Sequence, residues 1–165
     1  MYKRQEYYVQ IAATAFDDTS GNSYAGIDDD TSLSFTTADV VNPTLSSSTP
    51  ADDATAVAVG SNIVLTFSED VTVGNGNIVI YNSDDEEFET IAVTDSDKVT
   101  VNDAQVTISP SSNLASSTEY YVQIAATAFD DTSGNSYAGI DDETSLSFTT
   151  ADVVNPTLSL SLIHI

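Results

Sequence analysis

The side chains here that can do chemistry are overwhelmingly carboxylates, and the chemistry they suit is the binding of hard cations. Asp39, Asn42, Glu69, Asp70, Asp130 and Asp131 form three short oxygen-bearing groups far apart in sequence. Calcium takes about six to eight carboxylate, amide and backbone oxygens, so residues of this type suit Ca2+ if the fold gathers them. No stretch has the order of an EF-hand: Asp130-Asp131-Thr132-Ser133-Gly134-Asn135 lacks the alternating acids and the terminal Glu. Catalysis has less material. A Ser or Thr nucleophile needs a neighbouring base, and the chain has no Cys, a single His (His164) and three Lys and Arg. Paired acids can hydrolyse glycosides, but these acids fall in short turns, where Asp concentrates for its local hydrogen bonding. Seven glycines, none in a phosphate-cradling run, complete the expectation that the chain is not an enzyme.

Charge narrows the partners. Asp and Glu number 26 and the formal net charge is −23. Nucleic acid needs Lys and Arg at the phosphates, and anionic membrane surfaces need the same, so both are expected to be excluded. No apolar run is long enough to insert in a membrane. The absence of Cys excludes a disulfide scaffold and thiolate metal sites. With 41% hydrophobic residues the chain is not an acidic disordered tail. Such a surface invites cations, or suits a high-salt setting.

The chain also repeats itself. Residues 6–46 recur at 119–159 with a single change, Asp30 to Glu143, and the two copies begin 113 residues apart. That period is too long for a solenoid turn and about right for one autonomous domain. The expected organisation is therefore a fragment of a tandem array. Residues 6–37 are the last strands of a truncated repeat, 38–43 a linker, 44–150 a complete repeat, and 151–159 a linker running into the next. Residues 1–5 and 160–165 resemble translated sequencing-adapter DNA. CTG TCT CTT ATA CAC ATC encodes Leu160-Ser161-Leu162-Ile163-His164-Ile165, and its reverse strand, with a GTG start, encodes Met1-Tyr2-Lys3-Arg4-Gln5. On that expectation Lys98 is the one native base.

The elements that must position the acids are strands. Hydrophobicity alternates with period two and turn residues interrupt it every 8–12 positions or so, the mark of a β-sandwich. A short edge strand opens at Thr44-Leu45, and Pro50-Ala51-Asp52-Asp53 reads as a turn. Further strands are expected over Ile63-Val64-Leu65-Thr66-Phe67, Asn77-Ile78-Val79-Ile80-Tyr81, Thr90-Ile91-Ala92-Val93, Val99-Thr100-Val101, Val106-Thr107-Ile108, Tyr120-Tyr121-Val122-Gln123-Ile124 and Leu146-Ser147-Phe148-Thr149-Thr150. Asp84-Asp85-Glu86-Glu87 is expected to be an acidic loop, and Asn102-Asp103-Ala104-Gln105 a hairpin loop. The fold class is all-β.

Two resemblances sharpen this. Leu114-Ala115-Ser116-Ser117-Thr118-Glu119-Tyr120-Tyr121-Val122 resembles the L-x-P-G-T-x-Y-x-V stretch of fibronectin-III-like domains, with Ser116-Ser117 in place of Pro-Gly. That makes Tyr120, and its copy Tyr7, the candidate corner tyrosine. Pro50-Ala51-Asp52, Ile63-Val64-Leu65-Thr66-Phe67-Ser68-Glu69, Thr118-Glu119-Tyr120, Asp131-Thr132-Ser133-Gly134-Asn135 and Phe148-Thr149-Thr150 resemble the bacterial Ig-like domains of S-layer proteins and giant repeat adhesins. The resemblance implies an immunoglobulin-like Greek-key sandwich, an extracellular or cell-surface home, and tandem repetition as a spacer or stalk whose partners are neighbouring repeats. It implies no catalytic residues.

In such a sandwich the start of strand A (Asp39, Asn42), the B–C loop (Glu69, Asp70) and the F–G loop (Asp130, Asp131) meet at one pole. Calcium gathered there would relieve repulsion and stiffen a junction. Asp52, Asp53 and the 84–87 loop would occupy the opposite pole. Two other readings stay open: solvated turns that bind nothing, and a halophile surface stabilised by many salts. For function the alternatives to a spacer are a module that binds a glycan or protein through the F–G loop, and an accessory domain of a secreted enzyme. Tyr24 and Tyr137 either stack on a sugar or cover the end of the core. The 6–37 hairpin has no partner sheet, so Tyr7, Val9 and Ile11 are expected to pack poorly.

Overall fold

The computed structural model describes residues 3–158, so the adapter-like segment at 160–165 and the first two residues of the other lie outside it. The chain divides into two compact units, Met1–Val41 and Asn42–Ile165. Within the described residues every regular element is a strand.

The larger unit is a two-layer sandwich. One layer has four strands in the order β3 (Leu45–Thr49), β5 (Ile63–Phe67), β10 (Gln105–Ile108), β9 (Val99–Asn102). The other has five: β4 (Ala54–Val57), β13 (Ser147–Thr150), β11 (Glu119–Ile124), β7 (Asn77–Asn82), β8 (Glu87–Ala92). All pairings in these two layers are antiparallel except β13 with β4, which run parallel. The first strand of the domain thus switches layers, pairing with β5 as β3 and with β13 as β4, after the turn at Pro50. This is the Greek-key immunoglobulin-like arrangement expected from the alternation, with layers A-B-E-D and A′-G-F-C-C′.

Alternation explains the core. β5 carries Ile63, Leu65 and Phe67 inward, β7 Ile78 and Ile80, β11 Tyr120, Val122 and Ile124, and β10 Val106 and Ile108. These residues form one hydrophobic cluster drawn from both layers. The corner is closed as expected: Tyr120 is 2% exposed and its hydroxyl accepts the Ala115 N–H at 2.9 Å. Ser117 takes the tight turn with φ of 51°, so the corner forms without Pro-Gly.

Three strands escape the alternation: β4, β6 (Val71–Val73) and β12 (Phe129–Asp131). β6 and β12 are only three residues long, too short to show a period. Two loops are shorter than the sequence predicts. The β9–β10 connection is Asp103-Ala104, with Asp103 at φ of 53°, and Glu87 belongs to β8 rather than to the acidic loop.

The smaller unit holds β1 (Glu6–Tyr8) paired with β2 (Ser34–Thr36), extended by isolated bridges Ile11–Ile27 and Asp17–Ser23. Tyr7 and Val9 are 43% and 40% exposed, while their copies Tyr120 and Val122 are 2% and 0%.

Candidate functional site

The B–C and F–G connections do more than turn the chain. They pair with each other as the β6–β12 ribbon, with Val71 opposite Asp131 and Thr72 opposite Asp130. Beneath it Phe67 packs against Phe129 at 5.4 Å and edge-on to Tyr137 at 5.1 Å, so this pole has an aromatic floor. Tyr137 is 6% exposed, which makes it a cover for the end of the core. Gly74 ends the ribbon by donating its N–H to Ala128 at 2.9 Å; a Cβ there would lie 2.2 Å from the Thr127 carbonyl oxygen. That close approach is the reason for a glycine.

The ribbon register brings two of the candidate acids together. Glu69 stands two residues before Val71, and one of its carboxylate oxygens lies within 4.8 Å of one from Asp131. Asp131 is 3% exposed and largely committed to its own loop. Its Oδ1 accepts the N–H groups of Ser133 and Asn135, both at 2.8 Å, and its Oδ2 accepts the Asn135 side-chain amide at 2.8 Å. Burial pushes this carboxyl upward, but the bonds from Asn135, Ser133 and Gly134 outweigh it and hold Asp131 below the usual carboxylate range. The D-x-x-G-N element is therefore first a loop-building device. It leaves Oδ2 one lone pair for a cation.

The other candidates sit differently. Asp130 alternates to the opposite side of β12 and accepts the Ser136 hydroxyl. Asp70 is exposed. Neither joins the Glu69–Asp131 pair within reach of one ion. Asn42 is exposed in the coil ahead of β3. Asp39, in the smaller unit, accepts the Val41 N–H at 3.0 Å, as its copy Asp152 accepts that of Val154 at 2.9 Å.

The acids assigned to the opposite pole are built into the sandwich. Asp52 caps β13 by accepting the Ser147 N–H at 2.9 Å, and Tyr121 donates its hydroxyl to Asp85 at 2.9 Å. Asp53, Glu119, Glu143 and Tyr121 line an open hollow of about 420 Å³. Desolvation, then Asp85, pushes the Tyr121 phenol up to about 12. Sequence reasoning did not reach this convergence, because its members lie up to 90 positions apart with no shared motif.

Lys98 and Ser111 are both bonded to one carboxylate, that of Glu89. Lys98 Nζ lies 2.7 Å from Glu89 Oε1, and Ser111 donates both its hydroxyl (2.7 Å) and its N–H (2.8 Å) to the same carboxylate. The bond to Glu89 raises the Lys98 pKa, whereas a base must be neutral to accept a proton.

Residues 39–150 match the family model described as bacterial Ig-like domain. The match spans more than half of the chain and takes in both layers of the sandwich: the chain belongs to the bacterial Ig-like domain family. No curated protein matches it. Among solved structures it is similar to "The crystal structure of CopC from Methylosinus trichosporium OB3b", at 13% identity and a TM-score of 0.49, over 70% of this chain and 99% of that one. A likeness that distant says nothing about ligands.

Proposed function

We propose that the chain is a spacer module of a secreted or cell-surface bacterial protein of the adhesin or S-layer type, with no catalytic activity of its own. Its partners would be neighbouring copies in the same polypeptide, and its work reach and stiffness. The observation that carries this is the recurrence of residues 6–46 at 119–159 around a complete Ig-like domain. Both copies run on through Ala-Asp-Val-Val-Asn-Pro-Thr-Leu, which in the first copy leads directly into β3. An array of such domains gains length and uniform mechanics.

The same proposal gives the acidic pole a calcium ion. Glu69 and Asp131, both in the larger unit, supply the nucleus. Affinity would fall near ~10⁻⁴–10⁻³ M, the range of extracellular modules. Thermal unfolding of the chain in millimolar calcium, matched magnesium and chelator tests it. At a calcium concentration ten times Kd, mass action adds about 1.4 kcal/mol. A calcium-specific rise supports the metal; equal melting in all three reduces the pole to bonded and solvated turns and leaves a plain spacer.

A further inference from the structure

We infer that Asn75-Gly76 is a site of spontaneous modification, at which the folded chain converts its own Asn75 amide into a carboxylate with the Thr127 hydroxyl assisting. The chemistry is that of an asparagine followed by a glycine. The Gly76 backbone nitrogen gives its proton to solvent hydroxide and attacks Asn75 Cγ. A C–N bond forms and closes a succinimide ring, the Cγ–Nδ2 bond breaks, and ammonia leaves with a proton taken from water. One water then opens the ring at either carbonyl and leaves aspartate or isoaspartate at position 75.

The chain holds one Asn-Gly pair. Packing fixes its glycine: φ is +125° and a Cβ there would lie 2.6 Å from Ala125 Cβ. Both residues are exposed, so hydroxide and water reach them. Among the described residues nothing bonds the Gly76 N–H or the Asn75 side-chain amide, the two groups that react. Other asparagines are held. Asn22 and Asn135 donate their side-chain amides to Asp18 and Asp131, both at 2.8 Å, and a serine follows each. Asn82 donates to Glu86 at 3.2 Å, and the Ser83 N–H that would have to attack it is bonded to the Glu119 carbonyl at 3.1 Å.

The fold adds activation. Asn75 lies just past the β6–β12 ribbon, where its N–H donates to the Thr127 carbonyl at 2.8 Å and its own carbonyl accepts the Thr127 hydroxyl at 3.3 Å. That carbonyl belongs to the peptide whose nitrogen attacks. A donor on its oxygen draws charge from the nitrogen and stabilises the deprotonated form, as donors in an oxyanion hole stabilise developing charge. The product is ionised at neutral pH. It stands next to Gly74, where a Cβ would lie 3.0 Å from Asp130 Oδ2. Modification therefore adds an acid to the ribbon pole, and the isoaspartate form also lengthens the main chain there by one carbon.

The test incubates the full chain at mildly alkaline pH, in buffer and in urea. Digestion at acidic residues and mass spectrometry follow each asparagine, and enzymatic methylation scores isoaspartate. Asn75 is expected to convert ahead of Asn22 and Asn135. Its rate in buffer should lie within about tenfold of that in urea, a barrier difference below ~1.4 kcal/mol. Thr127→Val should slow the conversion several-fold in buffer and leave it unchanged in urea. Thr127→Ser, which keeps the hydroxyl, should restore the rate; circular dichroism checks that each variant is folded. Should Thr127→Val fail to fold, the unaltered chain decides alone, by its rate in buffer against that in urea. The inference is overturned if Asn75 converts more than about tenfold slower in the folded chain than in urea, or if folded Thr127→Val converts as fast as the unaltered chain.

Discussion

The duplicated sequence allows one substitution to be made twice, in local sequence that is identical from Glu6 and Glu119 onward but differs in the residues just before. Tyr120→Phe removes a hydroxyl that accepts the Ala115 N–H at 2.9 Å on a side chain 2% exposed. Tyr7→Phe removes a hydroxyl that bonds the Gln5 side chain at 2.7 Å on a residue 43% exposed. A net intramolecular hydrogen bond contributes about 0.5–1.5 kcal/mol, and an orphaned buried donor costs about 1–3. Ala115 is itself exposed, so water recovers part of the loss and the expected cost is about 1 kcal/mol. A domain of roughly 110 residues unfolds with an entropy near 0.23 kcal/mol/K, which makes that a fall in Tm of about 4 °C. Tyr7→Phe should change stability by less than about 0.5 kcal/mol, as exposed substitutions do. Urea unfolding followed by circular dichroism measures both. If the two substitutions cost the same, or Tyr120→Phe costs nothing, the corner bond does not hold the E–F turn and burial is not what separates the copies.

Two further outcomes follow from the geometry. Gly139 has φ of +86° and a Cβ there would lie 2.5 Å from the Ile124 carbonyl oxygen, whereas Gly134, at +87°, has nothing within 4 Å. Gly134→Ala should cost about 1–2 kcal/mol, the left-handed backbone penalty, and Gly139→Ala clearly more; equal costs in urea unfolding would count against the close packing of that turn. Stability against pH should pass through a maximum near pH 4–5. Falling pH first relieves repulsion among 26 acids. Asp131 and Glu89, both held low, and Asp142, held at about 2 chiefly by Ser145 and Thr144, stabilise the fold above their unfolded pKa and lose that contribution as pH falls through their folded values. At the alkaline end Tyr121 contributes below pH 10 and loses its contribution as pH rises through about 12. A Tm that climbs steadily down to pH 2 would refute the acid limb.

Much of the fold was legible because strand alternation is local. Ile63, Leu65 and Phe67, or Tyr120, Val122 and Ile124, announce an inward face within five residues. The corner tyrosine was legible for the same reason, since its partner Ala115 lies five positions away. The candidate site was legible only in part. That the B–C and F–G loops meet follows from the sandwich, but that they pair as a ribbon, placing Glu69 beside Asp131 and turning Asp130 away, depends on a register between segments some 60 residues apart.

The two copies draw the boundary between the levels directly. Sequence alone determined the hairpin register, the Asp18 and Asp131 loops, the Asp29 and Asp142 turns, and the left-handed threonines, because these recur in both settings. They are made of bonds and turns within one short stretch of chain. Tertiary structure decided strand length and burial: Glu6–Tyr8 is a three-residue exposed strand, and Glu119–Ile124 a six-residue strand with four buried residues. The added residues gain ladder partners from β7, and the buried faces gain a second layer, neither of which any sequence within the hairpin can supply.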